Sequence, residues 1–207
     1  MKWIRSFGPL LLAILAMTAP GRGQQASGAP PARTPQARPA MPPPTTIAAT
    51  LDLQVGIYEG LVVGAAEAMP EDKFYFTPAS LKIPGSAYTD VRTFAALVKH
   101  TAAANYVFWS GILGDKPPAN NNGLTGPDEL KTKAQIVQYL KDSFAVGHRA
   151  AQSLTAASAV EQVPFGSSTT SRLFMAGFGV VHCGDDYGQM VEYLRMNGIV
   201  PPASRGR

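Results

Sequence analysis

The chain has 207 residues and a formal net charge of +4, with five of its 18 basic residues before residue 46 and all 14 acidic residues after it. Residues 46–207 therefore hold 13 basic and 14 acidic residues, a net charge of −1, without a basic cluster. This balance excludes a typical nucleic-acid-binding domain. Cys183 is the only cysteine, so an internal disulfide is excluded and stability must come from packing.

Residues 1–23 have the features of a secretory signal peptide. Lys2 and Arg5 precede an apolar run that ends in small residues and is too short to span a bilayer with any margin. An uncleaved N-terminal anchor is the alternative. We expect a periplasmic or secreted protein with no stable membrane insertion after signal cleavage.

Residues 24–45 are rich in Ala, Pro, Gly and Gln and show no hydrophobic periodicity. This composition predicts a disordered linker before the folded domain, residues 46–205. If the linker instead recruited a partner, the protein would be an adaptor.

Two helices are predicted in the first half of the domain. Apolar residues recur at spacings of three and four over 46–68, and a second helix is predicted over 91–113 with Asp90 as its N-cap. His100 lies on the small, apolar, inward face of the second helix. It is therefore either a hydrogen-bonded core residue or a metal ligand.

Two further helices are predicted in the second half. The third opens at Pro127 and Asp128 and runs to about residue 158, and His148 falls on its polar face. The fourth covers 168–197 and ends at Gly198. With no strand predicted, the fold class is all-α.

The fourth helix carries the most informative spacing in the chain. His182 and Asp186 are four residues apart, so they lie one turn apart on the same helix face. An imidazole and a carboxylate at this spacing can bind one metal ion, or they can form a hydrogen bond on a solvated face. Cys183 points about 100° away and is interpreted as a packing thiol.

Taken together, residues 90–100, 181–195 and 198–202 resemble the DinB-like (YfiT-like) family of metal-dependent proteins. The resemblance extends over roughly residues 46–205. It implies an up-down-down-up four-helix bundle, often a homodimer through its helices, with a metal ion held by three side chains that are usually all His. Carried over by motif, these are His100, His182 and, as a departure from the family pattern, Asp186.

The resemblance also implies a function. A set of two His and one Asp suits Zn²⁺ with an open position for water, with Ni²⁺, Fe²⁺ or Mn²⁺ as alternatives. We expect a metal-dependent hydrolase that uses an activated water on an unknown small-molecule substrate. Asp185 is the candidate general base or His182-orienting residue, and Tyr187 and Gln189 are candidate substrate contacts. The alternatives are a metal-dependent thiol S-transferase-like protein, or a non-catalytic helical dimer with a vestigial site.

Overall fold

The computed structural model describes residues 43–206. The predicted signal peptide and nearly all of the predicted linker lie outside the described residues. The described chain forms four long helices: α1 (Ile47–Ala68), α2 (Phe94–Leu113), α3 (Lys133–Gln152) and α4 (Arg172–Met196). The four predicted helices are therefore present, with changes at several of their ends.

Each long helix begins after a hydroxyl side chain that accepts a hydrogen bond from a backbone N–H in the first turn. These N-cap residues are Thr46, Thr93, Thr132 and Ser171. The predicted N-cap Asp90 is therefore wrong, because α2 begins three residues later, after Thr93. The third helix also begins later than predicted, since Thr132 and Gln135 form a capping box at its start.

A short β-hairpin corrects the strandless all-α prediction. Strand β1 (Gln162–Phe165) pairs antiparallel with β2 (Ser168–Ser171), with Val163 opposite Thr170. Gly166 in the connecting turn has φ = +59°, a conformation that favours glycine. The hairpin takes up residues that the sequence pattern assigned to the start of the fourth helix, and α3 stops at Gln152 before it.

The helix directions follow from pairs of residues in contact. Helix α1 runs antiparallel to α3 and parallel to α4, whereas α2 runs parallel to α3 and antiparallel to α4, so the order is up, down, down, up. The pairs are Asp52 with His148, Met69 with Lys133, Tyr58 with Gly184, Gly64 with Pro202, Asn105 with Ser143, Trp109 with Gly147, Thr101 with Asp186, and Arg92 with Tyr193.

Close packing around Trp109 sets the spacing of three helices. Trp109 on α2 is almost completely buried. A Cβ atom added at Gly147 on α3 or at Gly179 on α4 would lie about 3 Å from its indole ring, at 3.0 and 2.9 Å respectively. The absence of side chains at these two glycines therefore lets α3 and α4 approach the indole, and α2 and α4 stay close enough to share a site.

Candidate metal centre

The antiparallel packing of α2 on α4 brings three side chains together near the middle of both helices. His100 comes from α2, and His182 and Asp186 come from successive turns of α4. One ligand atom from each of the three lies within 4.8 Å of the other two, and the two imidazole ring centres are 5.1 Å apart. The predicted convergence of residues 100, 182 and 186 is present, and their donor atoms could hold one metal ion.

The loop between α2 and α3 fixes the orientation of the His100 ring. Nδ1 of His100 lies 2.7 Å from the carbonyl oxygen of Leu124. Because a carbonyl can only accept, Nδ1 carries the proton and donates. The lone pair is then on Nε2, and His100 can present that nitrogen as a metal ligand.

Thr101 fixes the carboxylate of Asp186. Its hydroxyl donates a hydrogen bond of 2.8 Å to Oδ2 of Asp186, whose residue is only 2% exposed. Burial raises the pKa of Asp186, while the neighbouring His182 and the Thr101 hydrogen bond lower it in part. The Asp186 carboxylate is therefore held in one orientation, but its neighbours do not fully offset the cost of burying its negative charge. A bound cation would favour its ionised form.

Nε2 of His182 is the least satisfied of the three donor groups. This nitrogen is buried and has no hydrogen-bond partner among residues 43–206, with Oδ2 of Asp186 at 3.5 Å. Burial lowers the pKa of His182 more than the charge of Asp186 raises it. The imidazole is therefore favoured in its neutral form, which is the form that binds metals.

Aromatic rings cover part of His182. The ring of Phe108 meets it edge-on with centres 5.6 Å apart, and Phe178 lies nearly parallel to it at 6.4 Å. The side chain of His182 keeps 20% of its surface exposed. The site thus has apolar walls on two sides, and His182 is the least buried of its three donor residues although its Nε2 is itself buried. Two imidazole nitrogens, one of them the unpartnered Nε2 of His182, and one buried carboxylate oxygen fit a resident divalent cation.

Comparison with known families agrees with this geometry. The sequence pattern of the DinB superfamily matches residues 59–190, which is more than half of the chain and a range that contains the three donor residues. The chain belongs to the DinB superfamily. The predicted resemblance to DinB-like proteins is therefore confirmed. No curated protein matches this chain.

Asp185 lies outside the donor set of this DinB protein. It is exposed, and its Oδ2 accepts a hydrogen bond of 3.1 Å from Nε2 of Gln189. Its charge nonetheless raises the pKa of both His182 and Asp186, so it is electrostatically coupled to the site. Gln189 is engaged with Asp185 and not with the three donors. Tyr187 is half-buried and packs against the core.

Two further predictions about α3 and α4 can be compared with the structure. Cys183 is buried, its thiol donates to Oδ1 of Asn105 at 3.2 Å, and burial raises its pKa to about 12, as expected of an inert packing thiol. His148, predicted on the polar face of α3, is half-buried and pairs with the carboxylates of Asp52 and Glu59 on α1. Its partners are therefore polar, as predicted, but they come from a neighbouring helix.

Sequence reasoning missed the groups that orient the donors. The position of Leu124 in an Asn/Gly loop gives no signal, since the loop contributes only a backbone carbonyl. Thr101 directly follows His100 and lies about 100° away on the helix, so the wheel placed it off the inward stripe. The sequence did offer one sign of its role, because Thr101 is a polar residue next to the candidate ligand His100 in an otherwise Ala-rich stretch.

Proposed function

We propose that this DinB protein holds one divalent cation, with Zn²⁺ as the first choice, and uses it to hydrolyse a small-molecule substrate. The observation that carries the proposal is the buried Nε2 of His182, which has no partner in the described chain and lies beside two other donors. An unsatisfied buried polar atom costs free energy, and a cation bound beside the two other donors would satisfy this one.

The donor set decides which cations we expect. Three protein ligands with two imidazoles and one carboxylate are typical of catalytic Zn²⁺ sites that keep a position open, and they also suit Ni²⁺, Fe²⁺ or Mn²⁺. Ca²⁺ and Mg²⁺ prefer oxygen ligands and are disfavoured by His100 and His182. His182 is the least buried of the three donor residues, so we expect the open position on its side of the site.

When bound, such a cation lowers the pKa of a coordinated water and polarises the group under attack. The chain's own residues prepare the site for this chemistry. The Leu124 carbonyl and the Thr101 hydroxyl hold His100 and Asp186 in place before the ion arrives. Phe108 and Phe178 exclude bulk water from two sides of His182, which strengthens electrostatic interactions there.

We assign the role of general base to Asp185. Its carboxylate is exposed, its charge acts on both His182 and Asp186, and Gln189 holds only one of its oxygens. The other oxygen is free to accept a proton. An Asp185→Asn variant should therefore bind metal normally but lose catalytic rate.

We also propose that the protein works as an exported homodimer. Export rests on the signal-like residues 1–23. Dimerisation is supported by exposed apolar side chains on α4, which would be costly to leave in water in a monomer. These side chains, named here the α4 surface, are Leu173, Phe174, Phe178 and Val181, and Ile57 on α1 is exposed as well.

Elemental analysis tests the metal proposal. Protein purified without added chelator should contain about one equivalent of metal, and the Asp186→Ala and His182→Ala variants should contain none. His148→Gln is the matched control, because it removes an imidazole outside the site. Stoichiometric metal in both site variants, or none in the wild type after Zn²⁺, Ni²⁺, Fe²⁺ and Mn²⁺ are offered, would overturn the proposal in favour of a vestigial site.

A substrate screen tests the reaction. The metal-loaded protein is assayed on model carboxylic esters, amides, lactones and phosphoesters, and we expect turnover that is lost with chelator and in Asp186→Ala. Turnover that requires a low-molecular-weight thiol would replace hydrolysis by thiol transfer. The dimer is tested separately by light scattering, since Val181→Glu should convert it to a monomer.

A further inference from the structure

A second cavity lies away from the metal centre, between α2, α3 and the loop that joins them. It has a volume of about 590 Å³, within the range of small-molecule sites. It shares no residue with the donor set. The residues that line it are Tyr106, Pro118, Asn120, Pro127, Leu130 and several side chains of α3, chiefly Gln138, Tyr139 and Asp142.

Several polar side chains of this cavity already have a hydrogen-bond partner within the protein. The amide Nε2 of Gln138 donates to Asp142, Nδ2 of Asn120 donates to Glu129, and the Tyr139 hydroxyl donates to Oδ1 of Asn121. Each of the two amides keeps a second N–H, so neutral donors and acceptors are both available to a ligand. The Asp142 carboxylate differs from them because it can only accept, and Gln138 occupies one of its two oxygens.

The formal charge of the cavity lining favours a cationic ligand. Asp142 is the only lining residue with a formal charge at neutral pH, and it is negative. Burial and the charge of Asp142 raise the pKa of Tyr106, and burial raises that of Tyr139, so both phenols stay neutral. Their rings lie 5.1 Å apart and supply π-electron density that attracts cations.

The apolar lining defines the rest of the ligand. Pro118, Pro127 and Leu130 present hydrocarbon surface, and Pro127 is itself buried. An anion would be repelled by the Asp142 carboxylate. A ligand with a hydrocarbon body and one protonated amine would satisfy the free acceptors and cover the apolar walls.

We propose that this cavity binds a small organic ammonium ion with an apolar body, with Asp142 as the counter-charge and Tyr106 and Tyr139 as aromatic walls. The inference does not depend on the metal centre. Tyr106 also lines the cavity, and its hydroxyl is an additional polar group for the ligand.

Matched probes test the charge and the donor requirement. The full-length protein is titrated by calorimetry with 2-phenylethylammonium, 2-phenylethanol and 3-phenylpropionate, which share a ring but carry a positive, neutral or negative group. We expect the ammonium probe to bind at least tenfold more tightly than the alcohol and the carboxylate not to bind. Equal binding of ammonium and alcohol, preference for the carboxylate, or no binding of the ammonium probe up to millimolar concentration would overturn the proposal.

Variants test the location. Asp142→Asn should weaken ammonium binding about tenfold and leave alcohol binding unchanged, because a charge-assisted hydrogen bond is lost. Asp142 is exposed, so the variant should fold normally. Asp90→Asn, an exposed acid outside the cavity, should bind like wild type. His182→Ala should also bind like wild type, and loss of ammonium binding in that variant would place the ligand at the metal centre instead.

Discussion

The hydroxyl of Thr101 on α2 lies 2.8 Å from Oδ2 of Asp186 on α4, and the hydrogen bond between them crosses the interface that forms the metal centre. The same hydroxyl lies 3.0 Å from the carbonyl oxygen of Leu97, but it has a single proton to donate. The shorter contact, to a carboxylate, is the stronger hydrogen bond. Thr101 is therefore a positioning residue for Asp186.

Replacing Thr101 with Val tests this role. Valine keeps the shape of the side chain and removes the hydroxyl, so we expect metal affinity to fall about 10- to 100-fold while the helical circular dichroism is retained. The affinity is measured by competition with a chelator of known strength. Thr169→Val on the exposed face of the hairpin is the control. Unchanged affinity in Thr101→Val would show that α4 alone orients the carboxylate.

The Asp186→Asn variant separates stability from metal binding. Because burial raises the folded-state pKa of Asp186 above its unfolded value, the ionised carboxylate destabilises the metal-free protein at pH 7, above that unfolded value. The neutral amide removes this cost but is a poor metal ligand. We expect Asp186→Asn to melt at a higher temperature than wild type in chelator and to gain nothing from added Zn²⁺. A lower melting temperature in chelator would contradict this account.

The helices and the pairing of His182 with Asp186 on one face of α4 could be predicted because both depend on local periodicity. The apolar stripe left His100 as either a core residue or a ligand, and its place in the donor set was implied by the family resemblance, because local spacing does not encode which helices meet. The hairpin was missed because Val163 to Ser171 contains Pro164 and small polar residues, a pattern that does not distinguish strand from loop. Among the described residues, β1 and β2 pair only with each other, and α4 packs beside them.

The environment of His148 depends on tertiary contacts that no local pattern encodes. On the α3 wheel this residue is on the polar side, but α1 brings Asp52 and Glu59 against it from almost one hundred positions earlier in the chain. In the same way, Leu124 acts through its backbone, which side-chain chemistry cannot reveal. Contacts of this kind require the relative placement of the helices.

Glycine substitutions test the close packing around Trp109. In Gly179→Ala the new Cβ would lie 2.9 Å from the indole ring, closer than carbon atoms normally approach. We expect a loss of about 1–3 kcal/mol in the free energy of unfolding, measured with urea. Gly60→Ala in α1 is the matched control, because its Cβ would meet nothing within 4 Å and the change should stabilise the helix by up to about 1 kcal/mol. Equal effects at both positions would contradict the packing argument.

The ion-pair cluster of His148 predicts a pH-dependent contribution to stability. Nδ1 of His148 lies 2.7 Å from Oδ1 of Asp52, and Nε2 lies 3.2 Å from Oε2 of Glu59, so both ring nitrogens donate when the imidazole is charged. Burial lowers the pKa of His148, but the two carboxylates outweigh it and the net shift is upward. This contribution is therefore fully present below the unfolded pKa of about 6.5 and is lost as the pH rises through the folded pKa.

We expect the free energy of unfolding to be higher for wild type than for His148→Gln, and the difference to be larger at pH 5.5 than at pH 8.5. Urea unfolding at both pH values measures it. The comparison between the two proteins at each pH cancels the titration of His182, whose lowered pKa acts in the opposite direction. Gln retains hydrogen-bonding capacity but cannot become charged, so the difference reports the imidazolium and its two carboxylates. A stability difference that is constant across this range, or larger at pH 8.5, would show that His148 joins α1 to α3 as a neutral side chain.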